Sequence, residues 1–145
     1  MSVSNQIIGK GDTRTRVPIH CDDNGNLYFV GAIAAPGGAG VPASLSSNAL
    51  AASMVIAAVP AVLFDVTVAN TTAADAFLLL FDAVALPGNG AIPKAYAAIP
   101  AGWTGSISYD TGRGFATGIV AAMSTTLGTL TVAGASFLFS ARFST

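Results

Sequence analysis

From Val62 onward the chain is a succession of short runs in which apolar side chains recur at every second position, with turn-forming residues between them and no long helical period. Successive side chains of a strand point to opposite faces, so this pattern restricts the chain to sheets with at least one buried face. Val62, Phe64, Val66 and Val68 form an apolar face, opposite a mixed face of Leu63, Asp65, Thr67 and Ala69. Phe77, Leu79 and Phe81 alternate with Leu78, Leu80 and Asp82, which predicts one buried and one half-buried face, with Asn70 to Ala74 as the connecting turn. Pro93 and Pro100 bracket a short strand near Lys94 to Ile99 and mark it as an edge. Further strands are predicted at Trp103, Ile107 and Tyr109; at Phe115, Thr117, Ile119, Ala121 and Met123; at Leu130 and Val132; and at Phe137, Phe139, Ala141 and Phe143. Glu is absent and Lys occurs twice, while Thr, Val, Phe and Gly are plentiful, which also favours strands over surface helices. The expected fold class is all-β, a single antiparallel β-sandwich over residues 51–145.

Residues 1–50 read as an N-terminal arm. Val17 to Cys21 and Leu27 to Ile33 bracket Asp22-Asp23-Asn24-Gly25-Asn26, and Asn-Gly is a strong hairpin signal, which places Asn24 and Gly25 at a turn. Ala34 to Ser47 carries Pro36, Gly37, Gly38, Gly40 and Pro42, a density of breakers that predicts an extended linker.

Charge is scarce. Of the 145 residues 52% are hydrophobic and only 9% charged, against roughly 25% in a typical soluble domain. The net charge is -1 and no basic stripe is present, so nucleic acid is not an expected partner. Ala49 to Phe64 is apolar apart from Ser53, but a membrane span needs about 20 such residues, and here Pro60 interrupts the run and Asp65 ends it. A polar Met1 to Gly9 does not read as a secretory signal, and a lone Cys21 excludes an internal disulfide framework. Between Gly114 and Ala141 there is no charge at all, which predicts that much of the surface is covered by other subunits.

The residues with chemical potential are few. His20-Cys21-Asp22-Asp23 has metal-ligand residue types, but one His and one Cys side by side do not make a zinc tetrahedron, and no metal site is expected. Asp22, Asn24 and Asn26 alternate like the start of a calcium loop, yet Gly25 is misplaced and no Glu follows at the twelfth position. A nucleophilic triad would depend on His20, the sole histidine, without a Gly-x-Ser-x-Gly elbow. Asp65, Asp75, Asp82 and Asp110 are candidates for a carboxylate pair, and the turn-forming role of Asp is the simpler reading of them. Gly112-Arg113-Gly114 reads as a tight turn rather than a phosphate loop, since no Lys-Ser/Thr helix start follows. Trp103, Tyr96 and Tyr109 are candidates for an aromatic sugar platform, although Trp103 shares parity with Ile107, which predicts core or interface packing.

Several of these words in order, Val17-Pro18 with Asp22-Asp23-Asn24-Gly25-Asn26, Phe64-Asp65-Val66 to Asn70-Thr71, Ile99-Pro100-Ala101-Gly102 and Phe115-x-Thr117-Gly118-Ile119 followed by Ser124, resemble small β-sandwich virion proteins of tailed bacteriophages. That group includes capsid decoration (cement) proteins and related head or tail appendages. The resemblance implies a jelly-roll-like sandwich, a homotrimer, attachment to the capsid surface through the major capsid protein, and neither catalysis nor a cofactor. On that reading the expected partner contacts are Pro36, Gly37, Gly38, Val41 and Pro42 in the arm, with Trp103 on the sandwich. The alternative is a tail or fibre domain that binds a host-surface glycan through Trp103.

Overall fold

A computed structural model describes residues 19–21, 27–29 and 42–145. The chain divides into two compact units, residues 1–38 and 39–145. In the first, β1 (Ile19–Cys21) and β2 (Leu27–Phe29) pair antiparallel, with Cys21 opposite Leu27. The expected hairpin is thus present as its two strands. Its turn at Asn24 and Gly25, and the Gly/Pro-rich stretch Pro36 to Val41, lie outside the described residues.

The second unit is built from strands alone: β3 (Ala43–Ser46), β4 (Ser53–Ala57), β5 (Ala61–Asn70), β6 (Ala76–Asp82), β7 (Ala95–Ile99), β8 (Thr104–Phe115), β9 (Ile119–Ser124) and β10 (Phe137–Ser144). They form two antiparallel sheets of four, one in the order β3-β10-β5-β8 and one in the order β4-β9-β6-β7. The inner faces close on one core, in which Val66, Val68, Phe137 and Phe139 of the first sheet meet Leu78, Leu80, Ile119 and Met123 of the second. Each such side chain taken fully out of water stabilises the fold by about 1.5–3 kcal/mol, so this layer is what holds the sheets together.

Gly112-Arg113-Gly114 lies within β8 and is not the tight turn expected, and residues 116–118 separate Phe115 at the end of β8 from β9, so the single strand expected from Phe115 to Met123 is broken. Three further features depart from the expectation. First, the sandwich begins before residue 51: Ala43–Ser46 pairs with Ser140–Phe143 although all four residues of β3 are exposed. Backbone groups make this pairing, and Ala, Ser and Leu side chains on an edge leave no apolar alternation to read.

Second, the inward face of β5 is not Val62, Phe64, Val66 and Val68. Ala61 and Leu63 point inward, and then Val66, Val68 and Asn70 do, because the register shifts at Phe64 on both sides of the strand. A β-bulge adds one residue and reverses the parity beyond it. Phe64 is thereby left half-buried on the outside, under the Arg142 guanidinium at 5.7 Å.

Third, Leu130 and Val132 do not form a strand. Residues 125–133 fold back over the outer face of the second sheet, with one isolated β-bridge from Val132 to Ser124 in place of a ladder. Leu130 packs against Leu79, Phe81, Val120 and Ala122, and is tied to the β6–β7 loop by backbone bonds with Gly90 and Ala91. Every residue of β9 is consequently buried. This accounts for part of the charge-free Gly114 to Ala141: over β6 and β9 the chain covers that face itself, while Val55 of β4 and Tyr96 of β7 remain exposed.

Candidate functional site

Among the described residues nothing covers the outer face of the first sheet in this way. Registers place Ser46, Ser140, Thr67 and Ser106 side by side across all four strands, and Ser44, Arg142, Asp65 and Ser108 in the neighbouring row. Ser46 Oγ donates to Ser140 Oγ at 3.1 Å, and Arg142 pairs with Asp65 at 2.9 Å. Strands lie about 4.8 Å apart. The result is a hydroxyl-bearing surface on which the charges of Arg142 and Asp65 cancel, suited to many weak hydrogen bonds and not to proton transfer.

Trp103 stands at one end of the sandwich and is 68% exposed, so of the core or interface packing that its parity with Ile107 predicts, the core placement is corrected. Parity decides which face a side chain takes, whereas depth depends on where the strand leaves the core, and β8 begins only at Thr104. The loop beneath it is fixed by Asn70, which is 2% exposed. Asn70 Nδ2 donates toward the carbonyls of Ala74 (2.9 Å), Ile99 (3.2 Å) and Pro100 (3.1 Å), while its Oδ1 accepts from Thr72 N (2.9 Å) and Thr72 Oγ1 (2.7 Å). Asn70 N–H donates to the Trp103 carbonyl at 2.8 Å, and Trp103 N–H to the Pro100 carbonyl at 3.2 Å. Gly102 makes the tight corner with φ +68, a left-handed conformation that costs glycine nothing. An exposed indole is therefore held on a rigid base.

The three aromatics do not gather. Trp103 and Tyr109 are six residues apart on or beside β8, about 20 Å along an extended strand. Tyr109 is half-buried and its hydroxyl accepts from Arg113 at 3.1 Å, while Tyr96 lies opposite Leu79 on the outer face of the second sheet. A three-ring sugar platform is ruled out by this spacing, and Trp103 is left by itself. Among the expected partner contacts, Pro42 and Trp103 are exposed; Pro36, Gly37, Gly38 and Val41 lie outside the described residues.

Three of the four Asp carboxylates among the described residues have structural partners. Asp75 accepts from Ala101 N at 2.9 Å and so braces the Trp103 loop. Asp82 binds Lys94 Nζ at 2.9 Å and accepts from Ala116 N (3.0 Å) and Thr117 N (2.8 Å), which locks the β8–β9 turn to the end of β6. The Lys94 ammonium, and then the two amides, hold the Asp82 carboxyl far below the usual carboxylate range. Asp65 is taken up by Arg142, and Asp110 sits exposed in the four-residue excursion of β8 opposite Phe64. His20 and Cys21 fall on β1, whereas Asp22 and Asp23 lie outside the described residues, and among the described residues no three His, Cys, Asp or Glu side chains converge. Arg113 anchors β8 to β7 through the Lys94 carbonyl at 2.9 Å, as a structural strut.

Sequence reasoning passed over two of these positions. Asn70 read as an ordinary turn residue, and only the acceptors brought to it from β7 make it a hub. The hydroxyl face was invisible because it is assembled from four strands distant in the chain. No family model matches the chain, and neither a curated protein nor a solved structure matches it.

Proposed function

We propose that this protein is a non-catalytic structural component of a tailed-phage particle, a decoration protein that binds the capsid surface and bridges neighbouring subunits of the major capsid protein. The observation that carries the reading is the strand order. The first strand of the sandwich lies beside the last, the second beside the seventh, the third beside the sixth and the fourth beside the fifth, with β10 and β9 also flanking β5 and β6. Such nesting supports a jelly-roll reading, an architecture that recurs in viral capsid and lectin domains. A hydroxyl-bearing face whose two charges cancel, with Pro42 and Trp103 exposed, suits attachment by several modest contacts whose strengths multiply once the first is made.

A second reading is favoured by one specific observation. Trp103 on its rigid base fits a tail or fibre domain that stacks on a host-surface sugar. The two are separated on phage particles. Cement binds only the assembled shell and stabilises it by linkage, so particles lacking the protein release DNA at lower temperature and Trp103→Ala leaves host adsorption unchanged. Unchanged heat resistance, together with lost adsorption in a folded Trp103→Ala protein, overturns the cement reading in favour of the fibre one.

A further inference from the structure

Sheet edges expose unpaired backbone groups, and proteins usually blunt them with bulges, prolines or charges. Three of the four edges of this sandwich are treated so. β8 carries the excursion Tyr109–Gly112 and the charges of Asp110 and Arg113; β7 lies between Pro93 and Pro100; β4 is bulged between Val55 and Ala57. β3 has a proline only at its start, Pro42, and neither a bulge nor a charge along its length. Its sequence is Ala43-Ser44-Leu45-Ser46, uncharged, regular in register, and exposed throughout. Among the described residues it pairs with β10 alone.

Parity then determines what the free edge offers. Ser47 N–H donates to the Phe139 carbonyl at 2.8 Å, so the backbone groups of Ala43, Leu45 and Ser47 face β10. Those of Ser44 and Ser46 face outward, giving two donors and two acceptors spaced symmetrically about Leu45. A second β3 running antiparallel with Leu45 opposite Leu45 satisfies all four. Ser44 and Ser46 of one copy then form hydrogen-bonded pairs with Ser46 and Ser44 of the other. The two Leu45 side chains, each 37% exposed, meet on the axis as a close non-hydrogen-bonded pair. Pro42, which has no N–H, ends the ladder on either side.

We propose that the free edge of β3 is a two-fold self-association site, whose occupant is β3 of a second copy of this chain. The pairing merges two four-stranded sheets into one of eight. Because Ser46 then abuts Ser44 of the other copy, the hydroxyl rows continue across the axis. It is a two-fold contact and not the three-fold contact that the phage resemblance implies, and it does not depend on the virion reading.

The test is sedimentation of the full chain across the micromolar range, with two variants. Ser44→Pro removes an outward N–H while sparing every bond to β10, since an edge strand tolerates proline where its N–H faces solvent. Leu45→Lys puts two like charges on the axis without altering the backbone. The wild type is expected to sediment as a dimer, and each folded variant to self-associate at least about ten-fold more weakly. Amide exchange at Ser44 and Ser46 is expected to slow as concentration rises. A monomeric wild type, a trimer, or a dimer that survives Leu45→Lys with both amides still exchanging freely overturns the proposal. Should Ser44→Pro fail to melt cooperatively, Leu45→Lys and amide exchange decide the matter.

Discussion

Replacing Asn70 by alanine removes the link that joins the β5–β6 turn to the β7–β8 turn. The Ile99 carbonyl is the buried one of the three that its amide serves, and leaving a buried acceptor unpaired costs about 1–3 kcal/mol. The carbonyls of Ala74 and Pro100 and the Thr72 N–H are only part-buried, so water replaces Asn70 there and each bond forfeits at most its net worth of about 1 kcal/mol. Thr72 Oγ1 loses little, because it also reaches the Ala74 carbonyl at 2.8 Å. Non-additivity within one network trims the total, and a destabilisation of roughly 3 kcal/mol is expected. For a sandwich of this size that lowers Tm by roughly 15 °C. Urea and thermal unfolding followed by far-ultraviolet circular dichroism measure it, since Trp103 is already exposed and its emission reports folding weakly. Asn70→Asp sharpens the test. A carboxylate facing three carbonyls is repelled, so its folded pKa rises above the unfolded one, and the variant regains stability as pH falls and the protonated acid can donate. A loss below about 1 kcal/mol in Asn70→Ala, or an Asn70→Asp protein whose deficit relative to wild type is the same at neutral pH as in acid, refutes the view of Asn70 as the hub.

Three other outcomes follow from the packing and the charges. A Cβ on Gly118 would lie 2.7 Å from the carbonyl oxygens of both Ala57 and Ala83, backbone atoms that have no rotamer to yield. Gly118→Ala should therefore cost about 1–3 kcal/mol in urea titrations, whereas Gly114→Ala, which meets nothing, should fall within about 0.5 kcal/mol of wild type. Leu130→Ala should cost about 2–5 kcal/mol by the same measurement, because Leu130 is fully buried as the cover of the second sheet. For Asp82, whose folded carboxyl titrates below its unfolded value, the unfolded chain binds more protons near pH 4, so stability rises with pH there. Its contribution is complete above the unfolded pKa of about 4 and fades as pH falls below it. Acid unfolding of Asp82→Asn should be flatter across that range, and an unchanged acid profile would count against the Lys94 and amide contacts as its cause.

Where β5, β6, β7 and β10 run is a local matter, and there the sequence suffices. Pro93 and Pro100 delimit β7 because proline cannot donate to a ladder, and the alternation of Phe137, Phe139 and Ala141 puts these three side chains in the core as expected. The all-β class follows from the same local signals. What the sequence could not reveal depends on partners brought from elsewhere in the chain. The bulge at Phe64 reverses the faces of β5, and nothing in Val62 to Val68 distinguishes that register from a regular one; β10 and β8 impose it. β3 joins its sheet through backbone groups that every residue possesses, so Ala43–Ser46 carries no compositional mark of it. Leu130 and Val132 alternate as a strand would, yet Leu130 buries more by lying across Leu79 and Phe81 than by extending, a choice that exists only once β6 and β9 have formed a surface. Trp103 and Asn70 exchange their expected places for the same reason. Sequence parity assigns a side chain to a face, but only the assembled sheets decide that the indole lies beyond the end of the core and that three carbonyls converge on the amide.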